Sequence, residues 1–143
     1  MVSAPLTGRR APVPVLVADD SDLLVGLVAD WLEDEGYAVV TATTGRQALD
    51  AAAVHHPEVV LLDLIMPHPD GFEVCSKLTA LPNAPQVILM TGISDASHLN
   101  RALDLSPAVL LRKPLVAETV VAAVAEASRR YQTASRHPAS RAR

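Results

Sequence analysis

Residues 58–73 read EVVLLDLIMPHPDGFE. The stretch opens on four consecutive apolar residues, Val59, Val60, Leu61 and Leu62, and that run stops at an acid, Asp63. A short apolar run with no polar alternation is the pattern of a central parallel strand covered on both faces. Asp63 then stands at the strand's carboxyl end, and open α/β sheets bind ligands just outside that edge. Met66-Pro67, His68-Pro69 and Asp70-Gly71 come next, all turn chemistry that cannot continue a strand. One carboxylate is thus held at a sheet edge by a loop.

The same reading extends outward. Residues 13–18 (VPVLVA) form a first strand, with Pro14 tolerable near a strand start, ending on Asp19-Asp20. Ser21 or Asp22 caps a helix to about Glu35, where Leu23, Leu24, Leu27, Val28, Trp31 and Leu32 recur at helical spacing and Gly36 stops it. Residues 37–42 (YAVVTA) are strand two. A helix from Thr43 or Thr44 ends before Pro57, with His55 and His56 beside its C-terminal dipole rather than on a metal. Gly71 to about Leu81 is a third helix, in which Cys75 is a small core residue rather than a reactive thiol. Residues 86–90 (QVILM) are strand four, ending at Thr91-Gly92. Ser94 or Asp95 caps a fourth helix to Leu105. Residues 108–111 (AVLL) are strand five, followed by Arg112-Lys113-Pro114, and Leu115 to about Arg130 is the last helix.

Five strands alternating with five helices, joined by right-handed crossovers, give a parallel sheet with helices on both faces. The flavodoxin-like, doubly wound strand order 2-1-3-4-5 is expected. Residues 1–12 are expected as a flexible leader, 13–130 as the single domain and 131–143 as a basic flexible tail.

Composition narrows the class. Half of the 143 residues are apolar but only 3% are aromatic, so the core is built of Val, Leu, Ile and Ala. Cys75 is the sole cysteine, which rules out an internal disulfide and fits a reducing compartment. No signal peptide and no apolar run of membrane-spanning length is visible, so a cytoplasmic protein with no membrane partner is expected. Seven of the 12 basic residues are Arg9, Arg10, Arg129, Arg130, Arg136, Arg141 and Arg143, near the two ends, leaving five against 16 acids in the body. An acidic body argues against direct DNA binding by the domain. The basic tail is read as solvated, with contact to an acidic partner or nucleic acid as the alternative.

Residues at the strand ends now form a set. Strand one supplies Asp19 and Asp20, strand three Asp63, strand four Thr91, and Lys113 lies just past strand five. Taken singly, these are a helix cap, a strand end and a turn. Together, three carboxylates on adjacent strands repel one another and persist most easily around a hard divalent cation such as Mg²⁺. A hydroxyl and an ammonium on the other flank suit a phosphoryl group, and carboxylates do serve as phosphoryl acceptors.

On VLVADDS (15–21), LLDLIMPHPDGFE (61–73), LMTG (89–92) and LLRKP (110–114), the chain resembles the receiver domains of two-component response regulators, over about residues 13–128. The resemblance implies that Asp63 accepts a phosphoryl group from a sensor histidine kinase or phosphotransfer protein. It implies that Asp20, Asp63 and the Ile65 carbonyl bind Mg²⁺, with Asp19 helping through water. Thr91 and Lys113 would bind the phosphoryl oxygens, and the bond before Pro114 would be cis. Phosphorylation would draw the Thr91 hydroxyl inward and shift the face formed by the fourth helix, fifth strand and fifth helix toward binding a downstream protein. Beyond its own phosphorylation and dephosphorylation no enzyme activity is implied.

Several positions depart from the family pattern. Leu110 replaces the aromatic residue usual three positions before the lysine. Ser106-Pro107-Ala108 stands where Gly-Ala is common, and His68-Pro69 where Gly and an apolar residue are common. Ile65 and Ile93, two past Asp63 and Thr91, flank the path of a hydrolytic water, which leads us to expect slow loss of the phosphoryl group. The fifth helix is apolar nearly all round, which fits either a homodimer or docking surface or a solvent face of small residues. Two other readings compete with this one. A haloacid-dehalogenase-type phosphotransferase wants an Asp where Ile65 stands. A receiver-like docking module that works without phosphorylation is the alternative that Leu110 keeps open.

Overall fold

The computed structural model of the chain describes residues 11–92 and 96–136. Its elements are β1 (Pro14–Ala18), α1 (Asp22–Asp34), β2 (Ala38–Ala42), α2 (Gly45–His55), β3 (Val59–Asp63), α3 (Gly71–Thr79), β4 (Gln86–Thr91), α4 (Ala96–Asp104), β5 (Val109–Arg112) and α5 (Ala117–Arg136). The strands make one sheet in the order β2-β1-β3-β4-β5, every pair parallel, which is the doubly wound arrangement expected.

The pleat decides what each strand residue feeds. Successive side chains leave a strand on opposite faces. Val60 and Leu62 of β3 therefore join Leu16, Ala18 and Leu89 in a core beneath α2 and α3, with Ala48, Ala52, Phe72, Cys75 and Leu78. Val59 and Leu61 join Val15, Val17, Ile88 and Met90 in a second core beneath α1 and α5, with Val28, Leu32, Val120 and Val124. All five residues of β3 are buried. Burial on both faces is why the sequence there shows no polar alternation.

Local signals set the helix ends. The Ser21 hydroxyl accepts from Leu24 N–H (3.2 Å) and the Asp70 carboxylate from Glu73 N–H (3.0 Å). Thr44 accepts from Gln47 N–H (3.0 Å), while the Gln47 amide oxygen accepts from Thr43 N–H (2.8 Å). Each bond satisfies a donor that a helix N-terminus leaves unpaired. α1 stops where Gly36 adopts φ +95°, with Gly36 N–H bonded to Glu33 O and Tyr37 N–H to Leu32 O. That left-handed residue closes the last turn at no Cβ cost.

The last helix departs from expectation. It runs to Arg136, so the boundary drawn at residue 131 falls inside α5. Tyr131 and Gln132 are half-buried, and the Arg130 guanidinium donates to Ala108 O (3.2 Å) at the start of β5. These contacts keep winding a segment whose composition reads as tail. Its buried stripe includes Val120, Ala123, Val124 and Ala127, whereas Ala122 and Ala125 face solvent. The leader up to Arg10, the residues past Arg136, and Ile93 with the expected caps Ser94 and Asp95 lie outside the described residues. None of the described helices is long and apolar enough to cross a membrane.

Two glycines set up a contrast. Gly26 is exposed inside α1, and a Cβ there would meet nothing within 4 Å. At Gly71 a Cβ would overlap the Asp63 carbonyl oxygen. Gly26→Ala should raise the melting temperature by about 2–4 °C through its better helix propensity. Gly71→Ala should lower it by more than that, because backbone must move to admit the methyl group. Thermal unfolding of both variants by circular dichroism checks the opposite signs.

Candidate functional site

The sheet register assembles the site. Ala18 pairs with Leu62, so Asp19 and Asp63 follow side by side off the ends of β1 and β3. Asp63 pairs with Met90, which places Thr91 one step further on β4, and Thr91 pairs with Arg112, immediately before Lys113. Lys113 N–H donates to Thr91 O (2.8 Å), tying the lysine's backbone to the end of β4. The Lys113-Pro114 bond is cis, as the resemblance implied, and so is His68-Pro69.

Asp19, Asp20 and Asp63 each offer a carboxylate oxygen, and the three lie within 4.8 Å of one another. Their exposure differs sharply. Asp19 is 0% exposed and Asp63 4%, whereas Asp20 faces solvent. The Lys113 ammonium closes the group from the far side, 2.7 Å from Asp19 Oδ2 and 3.5 Å from Asp63 Oδ2. Asp19 Oδ1 accepts from Ser21 N–H (2.9 Å), and Asp63 Oδ1 from Ile65 N–H (3.3 Å). Asp19 Oδ2 is shut off from solvent, and the Lys113 ammonium is its ion-pair partner. Thr91 is buried, and the Ile65 side chain is half exposed two residues past Asp63.

The electrostatics follow from that geometry. Burial, followed by the Asp19 charge, pushes the Asp63 carboxyl up to about 6, against the lowering pull of Lys113 and the Ile65 N–H. Burial also works against the Lys113 ammonium, but the hydrogen bond and charge of Asp19, together with Asp63, outweigh it and raise the group. One cation therefore serves two buried anions, with a third carboxylate close by. This donor set is all oxygen, carries excess negative charge, and opens to solvent at Asp20. Those are the properties of a site for a hard divalent cation of the Mg²⁺ kind. Cys75 lies on the buried face of α3, its thiol pushed up to about 11 by burial, which fits a core residue and not a nucleophile.

The structure brings Asp19, Asp20, Asp63 and Lys113 together, with Ile65 bonded to Asp63 through its N–H and Thr91 carried on the neighbouring strand. Two features were not visible in the sequence. Asp19 is the closed partner of Lys113, although the motif alone makes it a water-mediated helper. Gly71, read as a turn residue and the start of the third helix, lies against the Asp63 carbonyl and is the reason the loop can pass so near. No spacing rule would have found either, because one is a contact between separate strand ends and the other a close approach of a helix start to the backbone at Asp63.

A stability prediction follows, with its sign fixed by the raised Asp63 group. Between its ordinary value of about 4 and about 6, the folded protein holds a proton that the unfolded chain has released. Stability from this group is therefore greatest below that window and falls as pH rises through it. Asp63→Asn does not titrate. In metal-free buffer it should be more stable than the parent by about 1–2 kcal/mol at pH 7.5, after allowance for solvent screening, and by much less at pH 4.5. Millimolar Mg²⁺ should raise the parent's melting temperature at pH 7.5 and leave the variant's nearly unchanged. Differential scanning calorimetry at the two pH values, with and without Mg²⁺, checks both statements.

Residues 15–125 match the family described as the response regulator receiver domain. Among curated proteins, the chain is 31% identical over 134 residues to the transcriptional regulatory protein PdtaR of Mycobacterium tuberculosis, covering 92% of this chain and 65% of that one. It spans about half the length of several other curated relatives, for example 53% of the KdpE regulator of the same organism at 37% identity. Among solved structures, the chemotaxis response regulator CheY4 of Vibrio cholerae superposes with a TM-score of 0.74 at 26% identity, covering 81% of this chain and 98% of that one. The CheX–CheY–BeF₃–Mg²⁺ complex of Borrelia burgdorferi is similar, with a TM-score of 0.72, 26% identity, and coverage of 79% and 87%. With the match running from β1 into the first half of α5, the chain belongs to the response regulator receiver domain family.

Proposed function

We propose that this receiver domain accepts a phosphoryl group on Asp63 with the help of Mg²⁺, taking it from a sensor histidine kinase or phosphotransfer protein. The observation that carries the reading is the convergence of Asp19, Asp20 and Asp63 within 4.8 Å, with Lys113 bridging Asp19 and Asp63. A buried acid with a lysine partner can be purely structural. A third, exposed carboxylate at the same point adds repulsion and no packing, and gains a purpose only with a bound cation.

Asp63, ionised above about pH 6, supplies the attacking oxygen. A new bond forms from that oxygen to phosphorus as the bond from phosphorus to the donor atom breaks, and the electron pair leaves with the donor. Lys113, 3.5 Å from Asp63 Oδ2, offsets the negative charge on the transferring group. Asp20 and Asp63, with the Ile65 carbonyl, would hold Mg²⁺, which supplies charge neutralisation and orientation of phosphoryl oxygens. Asp19 holds Lys113 in place, and Thr91 offers its hydroxyl from β4. The structure of the Borrelia relative with BeF₃ and Mg²⁺ supports this use of the site. Its output is a change in partner binding on the face of α4, β5 and α5, by a downstream protein or a second copy. Leu110 replaces the aromatic that would report Thr91 movement, and its half-buried side chain packs against the core beneath α2 and α3. We place this work in the cytoplasm. The domain's catalytic activity is confined to its own Asp63. Slow loss of the group goes with the apolar Ile65 beside it.

Intact-mass spectrometry after incubation with acetyl phosphate and Mg²⁺ tests the reading. A single phosphoryl adduct is expected on the parent, absent from Asp63→Asn and absent without Mg²⁺. After removal of the donor, the adduct should outlast manual sampling, and Ile65→Gln should shorten its life by admitting water. No adduct on a folded parent would leave a docking module that works without phosphorylation.

A further inference from the structure

A second feature lies away from Asp63, between α1 and α5. A groove of about 280 Å³ is lined by Trp31, Asp34, Glu35, Ala117, Glu118 and Val121. Trp31 is half-buried, and it and Val121 pack against the core beneath α1 and α5 while both line the groove. Asp34, Glu35 and Glu118 are exposed, and none of them carries an ion pair among the described residues.

The acids are placed against local stability. Asp30, Glu33, Asp34 and Glu35 crowd the last turn of α1 and its cap, with no basic residue there. A helix C-terminus carries a partial negative charge and favours cations. An aromatic face within a ring of unpaired carboxylates is a surface for a cation. The volume lies just below the range of about 300–1,000 Å³ usual for small-molecule pockets, and suits one inserted side chain better than a cofactor.

We propose that this groove docks a basic segment of a partner protein, with an arginine side chain stacked on Trp31 and its charge met by Glu35, Asp34 and Glu118. Arginine is favoured over lysine because its guanidinium is planar, weakly hydrated and stacks on aromatic faces while its N–H groups reach carboxylates. The chain itself uses such a stack, with the Arg101 guanidinium 3.9 Å from the centre of the Phe72 ring. The surface is independent of the Asp63 chemistry, so its docking does not require phosphorylation.

Trp31 is the only tryptophan of the chain, and its fluorescence reports on the groove directly. The probe is an acetylated, amidated Gly-Arg-Gly-Arg-Gly peptide, titrated against the full chain, with Gly-Lys-Gly-Lys-Gly as comparison. A saturable change in emission is expected, stronger for the arginine peptide and weakened by 0.5 M salt. The double variant Glu35→Gln/Glu118→Gln, checked for fold by circular dichroism, should bind about 5-fold more weakly. Equal, non-saturating responses to both peptides, or no effect of the double variant, would overturn the proposal. So would a shift of Trp31 emission on Arg9→Ala/Arg10→Ala without peptide, which would make the chain's own arginines the occupant. An emission change that follows protein concentration alone would assign the groove to a second copy, and the proposal would fail.

Discussion

Lys113 sits between two buried carboxylates, and much of the molecule's arrangement serves that contact. An ammonium 2.7 Å from Asp19 Oδ2 and 3.5 Å from Asp63 Oδ2 holds together two anions that would otherwise expel each other. Removing the ammonium would leave two buried negative charges uncompensated and cost about 3–5 kcal/mol, whereas neutralising Asp63 leaves Asp19 and Lys113 paired. The balance is incomplete even when all members are present. One positive charge faces three carboxylates, and Asp63 is left far above the ordinary carboxyl range. That surplus of negative charge is the thermodynamic source of affinity for a divalent cation.

The fold makes the arrangement affordable. β1 and β3 are neighbours although far apart in sequence, because a parallel sheet with crossover helices brings them side by side. Their carboxyl ends then project acids at one height, while β4 and β5 bring Thr91 and Lys113 to the same edge. The two cores fix these strands from both faces, so the site rests on rigid elements. The loop that follows Asp63 is pinned from behind by Gly71 and by contact between Pro69 and Gly45 at the start of α2, where a Cβ would overlap the Pro69 carbonyl oxygen. The groove at Trp31 lies elsewhere, along α1 and α5. The domain therefore presents two acidic surfaces, one at the strand ends around a buried lysine and one between two helices beside a tryptophan.

Much of this was legible in the sequence because local and global signals agree. The apolar run 59–62 gave the central strand, Ser21 and Thr44 were among the expected helix starts, and Gly36 gave a stop, whereas the cap at Asp70 was read only as a turn. The five site residues fell at strand ends once the sheet order was set. What was hidden is tertiary. The closeness of Asp19 to Lys113 depends on the register of four strands. The tolerance for only glycine at position 71 depends on where the Asp63 carbonyl lies. The extra length of α5 depends on Arg130 reaching Ala108 and on half-buried Tyr131, none of which a composition of Ala, Ser and Arg reveals.

The central claim is that Asp63 is held in an unbalanced acidic cluster built to be completed by a cation. Its most direct test is the titration of the Asp63 side-chain carboxyl by ¹³C NMR, in metal-free buffer and in Mg²⁺. A midpoint near 6 without metal is expected. With Mg²⁺ the midpoint should fall to about 4 or below, as the opposite charge favours the ionised form. An ordinary midpoint of about 4 that does not move with Mg²⁺ would contradict the account.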